Sequence, residues 1–100
     1  MTIIKNIEYE SSNNMYVIVF HKSYSINYFL NNDRMILNVE DRTQPGIVFQ
    51  ISSVEIYDER LKMLFNIAEQ LRTQQALVEY RQYLAFIMQV LNAEYTQLFA

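Results

Sequence analysis

The residues able to do chemistry are few and scattered along this chain. Histidine occurs once, as His21, and cysteine is absent, so disulfides, thiolate nucleophiles and thiolate metal sites are excluded. Nucleophilic catalysis needs an activated serine or threonine beside a base, and His21 is the one imidazole that could serve. No nucleophile elbow accompanies it, and no glycine-shaped oxyanion hole. We therefore predict a solvated turn histidine and no catalytic residue. A small enzyme or ligand-binding domain with a site near His21 is left as an alternative.

Neighbouring carboxylates are the other candidates for chemistry, and they form the pairs Glu8/Glu10, Glu40/Asp41 and Asp58/Glu59. Strand alternation places Glu8 and Glu10 on one face, where they could share a divalent cation. We favour the simpler explanation for that pair, a solvated edge strand. The helix dipole, which favours acids near a helix N-terminus, accounts for Asp58 and Glu59. We predict no metal site and no cofactor.

Composition narrows the class of protein. The 100 residues are 51% hydrophobic, which predicts a single folded domain over residues 1–100 rather than a disordered chain. Glycine and proline occur once each, so glycine-rich phosphate loops and proline-rich ligands are excluded. The N-terminal residues lack the pattern of a signal peptide, and no apolar run is long enough to span a membrane. We expect a cytoplasmic protein without a membrane partner.

Charge argues against nucleic acid as the main partner. Eight basic and eleven acidic residues give a net charge of −3, and no two basic residues are adjacent. A nucleic-acid binder usually carries a basic patch. The alternative is a nucleic-acid-associated protein that uses scattered Arg and Lys together with tyrosines in strands, namely Tyr9, Tyr16, Tyr24 and Tyr28. Packing within the sheet explains these tyrosines as well, because Tyr favours strands.

The first half of the chain has the pattern of strands separated by tight turns. Five strands are predicted, at residues 2–9, 15–20, 24–30, 34–40 and 47–51. Residues 15–20 are apolar on both faces, which predicts a central strand that is covered on both sides. Short polar turns indicate consecutive hairpins. The predicted sheet over residues 1–52 is therefore a five-stranded antiparallel meander.

The second half has the pattern of helices. Ser52 and Glu55 fit a capping box, which predicts a first helix over residues 53–72. Apolar residues then recur at helical spacing in two stripes that are out of phase, Tyr57/Leu61/Leu64/Ala68/Leu71 and Leu77/Tyr80/Leu84/Ile87/Leu91. A break near residues 72–75 resolves the mismatch and predicts a second helix over 74–98, paired with the first as a hairpin. No glycine or proline enforces the break, so one helix of about 45 residues is the alternative.

The second helix also carries more apolar surface than one sheet face requires. Residues 83–88 are apolar on every side, and Phe86 interrupts the stripe that should meet water. Burial against the first helix is one explanation. The other is a protein interface, for which the candidate residues are Tyr83, Phe86, Met88, Tyr95 and Phe99.

Together these patterns predict an α+β fold, with a five-stranded antiparallel meander followed by two helices packed as a hairpin on one sheet face. The expected function is a non-catalytic, acidic protein–protein interaction domain that acts as a homodimer. Inhibitors, immunity proteins and modulators from phages or mobile elements are small acidic domains of this kind, and they suggest the functional class by analogy.

Overall fold

The first half of the chain forms one antiparallel sheet in the computed structural model, which describes residues 2–41 and 50–99. Its strands are β1 (Ile4–Glu10), β2 (Met15–Phe20), β3 (Tyr24–Phe29), β4 (Arg34–Asp41) and β5 (Gln50–Ile56). They pair in sequence order, so β1 and β5 are the two edges. Asn14 and Asp33 adopt positive φ angles of 49° and 52° in two of the turns. Asn and Asp tolerate this conformation better than other residues with a side chain.

Two antiparallel helices, α1 (Glu59–Thr73) and α2 (Leu77–Phe99), follow the sheet. Leu61, Phe65 and Ala68 of α1 are buried in the core, as are Ile87 and Leu91 of α2. All five join one cluster with the side chains of alternate strand residues, including Tyr16, Ile18, Phe20, Ile26 and Tyr28. The helices therefore cover one face of the sheet, and the predicted fold is confirmed.

The break between the helices is a Schellman motif without glycine. Gln75 has a φ of 60°, in the left-handed region that glycine usually occupies at this position. The amide of Gln75 donates to the carbonyl of Arg72 at 3.1 Å, and the amide of Ala76 donates to that of Leu71 at 3.0 Å. These two bonds satisfy carbonyls at the end of α1. The prediction of a hairpin is correct, and one continuous helix is excluded.

The start of α1 differs from the prediction. Ser52 and Glu55 do not form a capping box, because residues 50–56 continue β5, with Ser53 paired to Asn38 and Val54 to Leu37. The N-cap is Asp58, whose side chain accepts hydrogen bonds from the amides of Arg60 and Leu61. Residues 52–56 therefore pair with β4 as a strand, although four of them match the sequence pattern of a helix capping box. The predicted fifth strand is shifted accordingly, and the structure describes only residues 50 and 51 of the predicted range 47–51.

One face of β2 has a different environment from the one predicted. Tyr16, Ile18 and Phe20 point into the core, whereas Val17 and Val19 lie half-buried on the opposite face. Within residues 2–41 and 50–99 no helix packs against that second face. The prediction that β2 is covered on both sides is therefore wrong for the described part of the chain. We call the uncovered side of the sheet the open face.

Asn92 of α2 forms hydrogen bonds with the backbone at the beginning of β1. Its Oδ1 accepts hydrogen bonds from the amides of Ile3 at 2.8 Å and Ile4 at 3.0 Å. These amides lie at the start of an edge strand, and Ile3 and Ile4 are themselves buried. An unpaired amide in such a position would carry a desolvation cost, which the Asn92 side chain removes.

Replacing Gln75 with glycine should stabilise the protein by about 0.5–1 kcal/mol, because the left-handed backbone costs a residue with a side chain more than it costs glycine. Urea unfolding measures the change in the free energy of unfolding. Gln74→Gly is the matched control: Gln74 has a φ of −79°, so glycine relieves no strain there and should not stabilise. Equal effects of the two variants would contradict the assignment.

Asn92→Ala should lower the free energy of unfolding by about 1–3 kcal/mol, because two amides lose their common acceptor. Amide hydrogen exchange at Ile3 and Ile4 should accelerate as well. Asn92→Asp keeps an acceptor oxygen at the same place and should retain most of the protection. Rapid exchange of these amides in wild-type protein would contradict the contact.

Candidate protein-interaction surface

The side of the helical hairpin that points away from the sheet carries large exposed apolar side chains. Met63 and Ile67 on α1 are 63% and 39% exposed, and Val78 and Phe86 on α2 are 65% and 48% exposed. We call these four residues, with the polar side chains between them, the hairpin outer surface. A scattered apolar residue needs no explanation, but a contiguous group is typical of a contact site.

An ion pair between the two helices shows which of these exposed side chains lie at the same level along the hairpin. Arg60 near the start of α1 forms an ion pair with Glu94 near the end of α2. Because the helices are antiparallel, this pair places Ile67 at the level of Phe86 and its neighbour Ile87. Met63 lies one turn before Ile67 on the same side of α1. The ion pair and the helical spacing therefore place Met63, Ile67 and Phe86 at neighbouring levels of the hairpin, and we call these three exposed residues the stripe.

The centre of the hairpin outer surface carries no charge. Between Glu79 and Glu94, the outward positions of α2 that surround Phe86 are Gln82 and Gln89, both exposed. On α1 the exposed residue Gln70 lies three positions after Ile67. Depletion of charge around apolar and aromatic residues is typical of the core of a protein interface.

The predicted interface residues divide between this surface and the core. Phe86 is exposed, and its ring packs against that of Tyr83 with centroids 5.7 Å apart. Tyr83 and Met88 are half-buried and pack against the core cluster. Tyr95 and Phe99 have side chains outside the described part of the structure. Sequence reasoning missed Met63 and Ile67, although their spacing of four residues beside a polar stripe was visible.

The strand tyrosines pack inward. Tyr16 and Tyr28 are fully buried, and Phe65 of α1 stacks on both rings, with centroid distances of 5.0 and 5.6 Å. Tyr9 stacks beneath the Arg72 guanidinium, which lies 4.1 Å from the ring centroid. A nucleotide base therefore cannot stack on Tyr16 or Tyr28. Two of the four strand tyrosines that a nucleic-acid-binding surface would use are inaccessible.

Polar side chains at the helix–sheet boundary satisfy the buried hydroxyls. Tyr16 donates to a carboxylate oxygen of Glu69 at 2.9 Å, and Glu69 also binds Arg72. The Tyr28 hydroxyl bonds with Asp33 and lies 3.2 Å from the amide oxygen of Asn66. Burial, followed by hydrogen bonds with Tyr80 and Glu69, raises the pKa of Tyr16 well above its usual range. Burial and the hydrogen bond to Asp33 raise the pKa of Tyr28 in the same direction.

His21 lies at the rim of a groove on the open face of the sheet. The groove has a volume of about 580 Å³, and Val17 and Val19 form part of its lining. Lys5 and Lys22 lie beside His21 at this groove. We call it the His21 groove. No group of three or more potential metal ligands occurs among the residues that the structure describes.

Comparison with protein-family models, with curated proteins and with solved structures gave no significant match. In the described part of the chain, neither helix combines the length and the apolar character needed to cross a membrane.

Alkaline pH should destabilise the protein through Tyr16 and Tyr28. Both phenols have a raised pKa when folded, so above the ordinary tyrosine pKa of about 10 the unfolded chain releases protons that the folded state retains. The contribution of these two phenols to stability should therefore be constant below that pH and fall above it, by up to about 1.4 kcal/mol per pH unit for each phenol.

Urea unfolding between about pH 9 and pH 11 measures this slope. Tyr16→Phe should reduce the slope by up to about 1.4 kcal/mol per pH unit, while costing about 1 kcal/mol at neutral pH through the lost hydrogen bond. A slope that is unchanged in Tyr16→Phe would show that the destabilisation comes from other groups.

Proposed function

We propose that this chain is a non-catalytic protein-binding domain that forms a homodimer through the hairpin outer surface. The observation that carries the proposal is the exposed stripe of Met63, Ile67 and Phe86 on the side of the hairpin away from the sheet. Phe86 is the anchor, since large aromatic side chains dominate the energy of many interfaces.

Charge supports a second copy as the occupant. The chain has a net charge of −3, so two copies repel one another unless they meet through surfaces that lack charge. The stripe around Ile67 and Phe86 is such a surface, because its polar neighbours are the amides Gln70, Gln82 and Gln89. Charged residues remain at the two ends, where solvent screens them.

The available area also fits a dimer. A stable interface of standard size takes about 800 Å² from each partner, or about 12% of the 6642 Å² surface of this chain. The helices of 15 and 23 residues extend over about 22 and 34 Å, side by side. Two such hairpins packed face to face form a four-helix layer between two sheets, with the self-complementary contact that two-fold symmetry requires.

Sedimentation velocity tests the proposal. Wild-type protein at tens of micromolar should sediment with twice the 12.0 kDa mass of one chain. Phe86→Asp places a charge at the centre of the contact and should raise the dissociation constant roughly 30-fold or more. Circular dichroism should stay unchanged, because Phe86 is exposed and lies outside the core.

The matched control for this experiment is Tyr57→Asp. Tyr57 is an aromatic residue with 79% exposure, and it precedes α1, outside the hairpin outer surface. This variant introduces the same charge and should dimerise like wild type. A wild-type protein that stays monomeric at these concentrations, or equal weakening by both substitutions, would overturn the proposed dimer.

A further inference from the structure

The His21 groove combines the features of a small-molecule site. Its volume of about 580 Å³ lies within the range of ligand pockets, roughly 300–1,000 Å³. It lies on the open face, on the other side of the sheet from the helices. Val17 and Val19 supply an apolar lining, and Lys5, His21 and Lys22 supply polar groups at its rim.

A β-bulge places Lys5 in this groove. Ile4 pairs with Phe20 and Asn6 pairs with Val19, so Lys5 is an extra residue with no partner opposite it on β2. Bulges redirect side chains and are frequent beside binding sites. Here the bulge leaves Ile4 buried in the core while the neighbouring Lys5 is exposed at the groove.

The charge of the groove is opposite to that of the chain. Among the described lining residues, Lys5 and Lys22 carry positive charge and Glu40 carries negative charge, whereas the whole chain carries −3. Within residues 2–41 and 50–99, the Lys5 ammonium and the His21 imidazole form no hydrogen bond or ion pair, so both can bind an anion. A cationic concave site in an acidic protein concentrates small anions locally.

Hydrogen-bonding groups complete the groove. Ser25 and Asn38 are paired in register on β3 and β4, and both line it. The Asn38 side-chain oxygen accepts from Ser53 at 3.0 Å, so its NH₂ group remains as a donor. A ligand lying on Val17 and Val19 would therefore have Ser25 and Asn38 on one side and the two lysines on the other.

We propose that the His21 groove binds a small organic anion, with its carboxylate or phosphate facing Lys5, His21 and Lys22 and its apolar body against Val17 and Val19. This site is independent of the proposed dimer, because the helices and the groove lie on opposite faces of the sheet. The two proposals can therefore fail separately.

Titration of ¹⁵N-labelled protein with phenyl phosphate tests the site by NMR. Amide shifts should saturate and should concentrate in residues 5, 17–25 and 38–40, with a dissociation constant on the order of 1 mM or lower. Inorganic phosphate should bind more weakly, because it lacks the apolar body, and benzyl alcohol should bind more weakly because it lacks the charge.

Substitutions distinguish binding in the His21 groove from nonspecific electrostatic attraction of the anion to the protein. Lys5→Gln should weaken binding of phenyl phosphate roughly tenfold, since it removes a charge-assisted hydrogen bond. Lys62→Gln removes one positive charge on α1, away from the groove, and should leave the affinity unchanged. Phe86→Asp, the variant that tests the dimer, should also bind phenyl phosphate like wild type.

Three results would overturn the proposal: no saturation up to about ten times a millimolar dissociation constant, equal affinity for benzyl alcohol, or equal loss in Lys5→Gln and Lys62→Gln. Loss of binding in Phe86→Asp would refute the independence of the groove from the hairpin.

Discussion

The stacking of Phe65 on two buried tyrosines is the contact on which the rest of the structure depends. Phe65 lies over Tyr16 and Tyr28, which are neighbours across β2 and β3, so one side chain of α1 fixes the helix over the centre of the sheet. Each aromatic pair contributes about 0.5–1.5 kcal/mol beyond the burial of its apolar area. The tyrosine hydroxyls require partners, and the surrounding polar residues supply them. Because α1 is held here, α2 can pack beside it only with Ile87 and Leu91 inward, which leaves Phe86 on the outside.

Much of this fold was predictable because periodicity in sequence reflects burial. Alternation and one continuous apolar run, bounded by turn residues, located the first four strands, and the phase difference between the two apolar stripes located the helix break although no glycine marks it. The start of α1 was missed because a capping pattern of four residues says little about which backbone partner is available. Ser53 and Val54 have strand partners on β4, and that pairing depends on the tertiary fold. Phe65 was also missed, because it lies beside the stripe that contains Leu61, Leu64 and Ala68.

The functional surfaces were predictable to a smaller extent. Phe86 was identified because it interrupts a polar stripe, and this reasoning works whenever the helix orientation is set by its buried face. Tyr83 and Met88 were chosen by proximity, and they pack partly against the core. The His21 groove was not visible in the sequence beyond the histidine itself. It depends on a bulge at Lys5, and no glycine or proline signals that bulge.

The hydrogen bonds between Asn92 and the start of β1 also constrain the order in which the molecule can be completed. Ile4 and Asn92 are separated by 88 residues, so this contact closes a very long loop. On a ribosome that adds about 5–20 residues per second, β1 waits roughly 4–18 s for its acceptor. During that interval the strands of the meander can pair with one another, because short turns connect them. The amides of Ile3 and Ile4 still lack their acceptor on Asn92. Until α2 has been synthesised as far as Asn92, these two amides can therefore pair with a strand of another chain.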